Sequence, residues 1–558
     1  MDIEYWPDMR DVNSENYFLK IKSRLAVLII TGISAFLIFS AFLFSVPAAN
    51  SHTHSKSRIR CREYSRWAFE AASRENKPVL MVMSAVWCSW CAKYNRGALS
   101  DSNVITYLNN YFISVFVDID RRVDLKRKYV RGIPTTVVFS PKGHVVRSFS
   151  GVLKGKDLLW FLKKARKEAL RAVSAPEKAM TASAGATEIL NRKELLREVD
   201  EYLEKFFDKR YGGFGEVKKF PRGWVLAYLM DRYDRDRNKR HLEMVLKTIE
   251  GMLGGLYDPV EGGFFRYVTK RNWGAPRTEK ISAVNGALLP ALYRASSVSG
   301  NRRYRRAGSR TAKFIIDRLY DRKAGGFFGS QSARGMYYKL DATGRKNVPP
   351  PPLNRTKYTA WNAQVVLGLI EAARIIRSSH WKEEILRTMD FMRRDLLTDE
   401  GVWNEESSRN RSAPLLGQLE SNSWAALAFV EAYIAYGRAE DYLAARRIIE
   451  YSIRWLFDRQ SGIFIEWRNP QPELLRRGED ISTEAPIDLN GVMALALLRL
   501  GRHERDGRYI GIAKRVLNKF IGKAIKDLRA GDAWDDDGRI LARVIFVLRA
   551  YDLFLERA

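Results

Sequence analysis

A turn signal repeats along the C-terminal part of this chain. Asp208 to Phe214 (DKRYGGF), Asp258 to Phe264 (DPVEGGF) and Asp321 to Phe327 (DRKAGGF) share one spacing. Weaker copies lie at Asp399 to Trp403, Asp458 to Phe464 and Asp535 to Gly538. Between them run amphipathic segments. Tyr442, Ala445, Ile449, Ile453 and Leu456, for example, step by three or four and define one helical face. Twelve such segments, from 191–207 to 539–556, with six loop signals imply six αα-hairpins. These close most simply into an all-α (α/α)6 toroid over 191–558; an open solenoid is the alternative.

Upstream, over 58–172, the pattern changes to mixed α/β. An apolar run, Val79 to Ala85, precedes Trp87-Cys88-Ser89-Trp90-Cys91, and Gly132-Ile133-Pro134-Thr135 precedes a second apolar run, Thr135 to Phe139. Strand, Cys-x-x-Cys at a helix start, then Ile-Pro-Thr before a strand is the layout of a thioredoxin-type redox site. The chemistry needs that spacing. A helix N-terminus carries partial positive charge that favours thiolate at Cys88. Cys91, one turn on, can resolve a mixed disulfide. Pro134 is the expected cis-proline beside the sulfurs, Ile133 lies beside it, and Trp87 and Trp90 are expected to form an apolar rim for a client. The chain has three cysteines, and Cys61 falls outside the motif. A zinc half-site or a purely structural disulfide are the competing readings; no second ligand pair lies nearby, so neither metal nor cofactor is expected.

Leu25 to Val46 carries no charged residue and is long enough to span a bilayer. A cleaved signal peptide is the rival, but its apolar core usually runs only about 7–15 residues. The expectation is a tail over 1–24, a single membrane anchor over 25–46 and a membrane localisation. Lys20, Lys22 and Arg24 abut the anchor and place the body on the extracytoplasmic side. A small, polar stretch, 173–190, reads as a linker. The net charge of +31 invites an anionic partner. The basic residues are nonetheless scattered over polar helix faces, and no nucleic-acid-binding motif accompanies them.

In the toroid, polar groups at the starts of inner helices are the candidate ligand contacts: Trp273, Glu279, Trp361, Asn362, Glu420 and Asn490. Indoles stack on sugar rings, amides bond hydroxyls, and paired carboxylates do glycosidic chemistry, so a glycan in the funnel is one expected partner. The competing reading is helix capping and loop stitching, for which Asn is favoured. His241, His380 and His503 sit in polar patches and read as exposed, which disfavours histidine acid–base chemistry in the funnel.

Together these motifs resemble the thioredoxin superfamily over 58–172. Over 58–558 they resemble the YyaL / spermatogenesis-associated thioredoxin-like family, which joins a thioredoxin-like domain to a six-hairpin-glycosidase-like body. The matching stretches are Gly254 to Asp258, Gly262 to Tyr267, Trp273 to Lys280, Thr359 to Asn362, Leu419-Glu420 and Asn490. There are departures. Val82 stands where thioredoxins carry a buried acid. Arg277, Val284 and Ser421 replace a His and two acids of the family pattern, and Gln331-Ser332-Ala333 replaces a polar run. The reading is a multidomain, membrane-anchored thiol–disulfide oxidoreductase acting on protein thiols or disulfides, with the toroid as a platform. The alternatives are a carbohydrate-active toroid with a regulatory redox domain, and a non-catalytic scaffold.

Overall fold

The computed structural model describes residues 57–171, 192–406, 415–467, 485–531 and 538–556. The chain divides into Met1–Ala49 and one compact unit, Asn50–Ala558; the described residues all belong to the second. The expected anchor at 25–46 and linker at 173–190 lie outside the described residues. Among the described residues, no helix is long and apolar enough to cross a membrane.

The N-terminal domain runs β1 (Cys61–Arg62), α1 (Arg66–Arg74), β2 (Val79–Ser84), α2 (Ser89–Arg96), α3 (Ser102–Tyr111), β3 (Ile113–Asp118), α4 (Val123–Tyr129), β4 (Thr135–Phe139), β5 (Val145–Ser150) and α5 (Gly155–Arg171). The sheet order is β1-β3-β2-β4-β5, with β1, β3 and β2 parallel and β4 and β5 antiparallel. Every residue of β2 is buried. Alternate side chains serve opposite faces. Val79, Met81 and Met83 pack with α1, whereas Leu80 and Val82 pack with α3 and α5. A sheet covered on both sides needs such an unbroken apolar strand.

Among the described residues twelve long helices follow: α6 (Arg192–Phe206), α7 (Gly223–Asp236), α8 (Lys239–Gly255), α9 (Ser282–Ser299), α10 (Arg302–Phe314), α11 (Thr359–Ile376), α12 (Lys382–Phe391), α13 (Leu419–Tyr436), α14 (Ala439–Trp455), α15 (Ile487–Glu504), α16 (Gly507–Arg529) and α17 (Arg539–Leu555). The helices α7, α9, α11, α13, α15 and α17 each pack on the next, and α17 returns to α7. The ring is therefore closed, which decides between toroid and solenoid. Inner helices are apolar nearly all round because ring neighbours and outer helices enclose them; outer helices bury one stripe. Close crossings require glycine: a Cβ on Gly368 of α11 would lie 2.1 Å from the Gly286 carbonyl oxygen of α9.

The repeated turn signal is a clamp. Gly262 and Gly263 have φ of 80° and 79°, a left-handed pair that favours glycine. Lys280 Nζ donates to Asp258 Oδ2 at 2.6 Å and to the Gly262 carbonyl at 2.7 Å. Asn285, in the first turn of α9, accepts from Phe264 N–H at 2.6 Å and donates to the Phe264 carbonyl at 3.1 Å. Asp321, Lys357, Asn362 and Phe327 repeat the arrangement, and Asn490 holds Phe464 in the same way. The signal recurs because each loop must lock onto the start of the next inner helix.

Candidate functional site

The Cys-x-x-Cys turn follows β2 and opens α2. Cys88 is the N-cap residue, its Sγ accepts from Cys91 N–H at 3.1 Å, and the two cysteines form a disulfide. Both are buried, Cys88 3% and Cys91 5% exposed. The Ile133–Pro134 peptide is cis, and Gly132 and Ile133 line the same cleft as Cys88. Trp87 is buried rather than forming a free rim. Its Nε1 donates to Asp120 Oδ2 at 2.6 Å, and the Arg266 guanidinium lies 3.9 Å from its ring centre. Trp90 is 38% exposed, with Arg277 at 5.4 Å from its ring.

What faces the disulfide is the toroid. Glu279, just before the Lys280–Ile281 strand that leads into α9 and 2% exposed, accepts from Ser89 N–H at 3.4 Å and Ser89 Oγ at 3.2 Å. Its other oxygen is buried without a hydrogen-bond partner. Ile281 joins the apolar cluster that contains Trp87, Cys88 and Cys91, and Val284 and Trp361 pack against it. Polar contacts extend the seam. Arg121 pairs with Glu405 at 2.5 Å, Tyr358 donates to Asp118 at 3.4 Å, and Arg127 pairs with Glu466 and, at 3.8 Å, with Asp488. These toroid residues lie on the segments that precede α9, α11, α13 and α15 and in the first turns of α9, α11 and α15. The thioredoxin-like domain thus covers the end of the ring where inner helices begin.

A cleft of about 970 Å³ remains between the two bodies, lined among others by Trp87, Cys88, Ile133, Arg266, Glu279 and Trp361. Its electrostatics follow from burial. Asp118 is pushed up to about 7 by desolvation and by neighbouring Asp120. Asp120 is raised by burial too, against the opposing pull of Lys126 and of its hydrogen bond from Trp87. Glu420, beside the Arg127 seam, is pushed up to about 7 by burial. Among the described residues no group of His, Cys, Asp and Glu has the arrangement to hold a metal ion.

Of the toroid residues expected from sequence to touch a ligand, Glu279 and Trp361 reach the cleft, and Glu420 lies at the domain seam. Trp273, Asn362 and Asn490 do not. Trp273 is buried against Gly251 and Gly255, with its Nε1 donating to the Tyr211 carbonyl at 2.8 Å. Asn362 and Asn490 are buried, and the loop backbone takes up their amides. A short polar side chain at a helix start serves capping and ligand binding equally well in sequence; only packing separates the two. His241 is also buried, hydrogen-bonded to Asp200 at 3.0 Å, instead of exposed. Sequence reasoning missed Arg266 and Asp120. Arg266 lies within the matching stretch Gly262 to Tyr267, but nothing local pointed to Trp87, which lies far away in the chain.

The Thioredox_DsbH family model, described as a protein of unknown function (DUF255), matches residues 45–144. Spermatogenesis-associated protein 20 of Homo sapiens is 25% identical over 382 residues, covering 60% of this chain and 48% of that protein. Its Mus musculus counterpart is 24% identical over 367 residues, covering 58% and 46%. The chain thus spans about half the length of the curated relatives it matches. A solved D-mannose isomerase superimposes with a TM-score of 0.50 at 9% identity, covering 65% of this chain and 97% of that one, a likeness of fold alone. The chain is therefore similar to spermatogenesis-associated protein 20, with a Thioredox_DsbH-type domain seated on a six-hairpin toroid.

Proposed function

We propose that this protein is a thiol–disulfide oxidoreductase in which Cys88 and Cys91 carry the exchange and the toroid forms the far wall of the reaction cleft. The observation that supports it best is the position of the disulfide at a helix N-terminus, lining a cleft built from both domains. Cys88 Sγ already accepts the Cys91 N–H, a bond that strengthens when the sulfur is a thiolate. Val82 is buried and apolar, so that position of β2 supplies no acid. Glu279 is the carboxylate that hydrogen-bonds the Cys-x-x-Cys turn. In this proposal it takes the proton a cysteine thiol gives up and returns it to the leaving thiolate. Glycosidic chemistry is less well supported: Asp120 and Glu279 are the carboxylates lining the cleft, and Asp120 is engaged by Trp87 and Lys126. In this reading Leu25 to Val46 anchors the protein in a membrane, with the body extracytoplasmic.

The test is equilibration of the full chain in thiol–disulfide buffers of graded potential, with the Cys88–Cys91 state read by alkylation and mass spectrometry. A reversible two-electron transition between about −270 and −120 mV supports the proposal. A pair that never reduces reversibly, or exchange turnover that is the same in Cys88→Ser, defeats it.

A further inference from the structure

We propose that the cleft beside Cys88 binds a small anionic thiol or disulfide, of short-peptide size, whose carboxylates dock on Arg266 and Arg277. This rests on the exchange chemistry proposed above and adds the class of reactant.

Size is the first argument. The disulfide is almost completely covered, and the space in front of it is about 970 Å³. That is at the upper end of small-molecule sites, about 300–1,000 Å³. A folded client would have to displace Glu279, Ile281 and Trp361 to reach Cys88; a small molecule would not.

Charge is the second. Lys126, Arg131, Lys218, Arg266 and Arg277 line the cleft against Asp120 and Glu279. Lys126 is committed to Asp120 at 3.7 Å. Arg266 and Arg277 are different. Arg277 is on a short strand and Arg266 just precedes its partner strand, with Arg266 N–H donating to the Arg277 carbonyl at 3.1 Å. One guanidinium lies over Trp87 and the other over Trp90, the two indoles that flank Cys88. Among the described residues neither has a carboxylate within ion-pair distance, and Arg277 Nε is buried without a hydrogen-bond partner. Burial lowers the proton affinity of Arg266, which Glu279 and Asp120 only partly restore from a distance. Guanidinium groups held on aromatic faces with open donors are suited to planar carboxylates. They would bracket the sulfur of a bound ligand against Cys88.

The exchange balances as follows. A ligand thiolate, RS⁻, attacks Cys88 Sγ. The Cys88–Cys91 bond breaks, a Cys88–S–R bond forms, and Cys91 leaves as thiolate and takes up a proton. A second RS⁻ attacks the ligand sulfur, releasing R–S–S–R and the Cys88 thiolate, which is then protonated. Two ligand thiols lose two electrons and the protein pair gains them; the reverse sequence reduces the ligand disulfide.

The experiment uses the full chain, pre-reduced, with the rate of Cys88–Cys91 oxidation followed by acid quench and mass spectrometry. The probes are glutathione disulfide (anionic), 2-hydroxyethyl disulfide (neutral), cystamine (cationic) and insulin (protein). The expected order places glutathione disulfide first, roughly tenfold or more above cystamine, with the gap narrowing as salt rises. Arg277→Gln should shrink the gap and Arg277→Lys should largely keep it, which separates charge from misfolding. Equal rates for the three small probes, or cystamine fastest, overturn the anionic site while leaving the redox reading intact. Insulin reacting as fast as glutathione disulfide overturns the restriction to small reactants. If no probe oxidises the pair, the redox reading fails and takes this inference with it.

Discussion

Replacing Asn362 with alanine isolates what the loop clamp contributes. Three hydrogen bonds are lost: from Phe327 N–H at 2.6 Å, to the Phe327 carbonyl at 3.1 Å and to the Tyr358 carbonyl at 2.9 Å. The Phe327 N–H is left buried without its acceptor, which costs about 1–3 kcal/mol. The Tyr358 carbonyl keeps the Asn362 backbone N–H at 3.0 Å, so its loss is smaller. The sum is about 2–4 kcal/mol of local opening energy. That corresponds to amide exchange faster by roughly 30- to 700-fold. Hydrogen–deuterium exchange of a peptide covering Gly325 to Gly329 reads it directly. The equivalent loop at Asp258 to Phe264, held by Asn285, is the internal control and should not change. An increase under about threefold, accompanied by a collapse of exchange at Cys88, would refute the clamp and return Asn362 to ligand binding.

Two further outcomes follow from the site. Glu279→Gln removes a negative charge from the N-terminus of α2, so the reduced Cys88 thiolate becomes easier to form. Its thiol pKa should fall by about 0.2–1.5 units, from terminus–charge energies of about 0.3–2 kcal/mol; a rise in the pH profile of iodoacetamide alkylation would contradict this. Glu420 is raised from 4.5 to about 7, so the folded state holds that proton better than the unfolded chain does. Its contribution is complete below its unfolded pKa and is lost as pH rises through about 7. The unfolding midpoint should therefore drop between those values and flatten in Glu420→Gln; parallel profiles for the two proteins would sink the argument.

Much of the architecture was legible in the chain because it is written in local patterns. The helical stripes, the Asp-to-Phe turns and the Cys-x-x-Cys at a helix start are each set by neighbours a few residues apart. The cleft was not legible, because its two walls come from distant segments: Ser89 and Glu279 are 190 positions apart. Arg277 stood out in sequence only as a departure from a family pattern, and its relation to Trp90 had no local sign. Asn362 and Asn490 misled because the same amide geometry that grips a sugar hydroxyl also grips a backbone peptide group.

By itself, then, the sequence determined the Cys-x-x-Cys pair at a helix start, the mixed α/β domain and a run of six helical hairpins, since periodicity and turn chemistry are properties of short stretches. Tertiary structure alone decided that the ring closes and that the thioredoxin-like domain covers its inner-helix end. It also decided that the disulfide opens onto a cationic cleft. Those outcomes depend on which surfaces bury one another and which charges are left without partners. Both are set by contacts between segments far apart in the chain, and no local pattern encodes them.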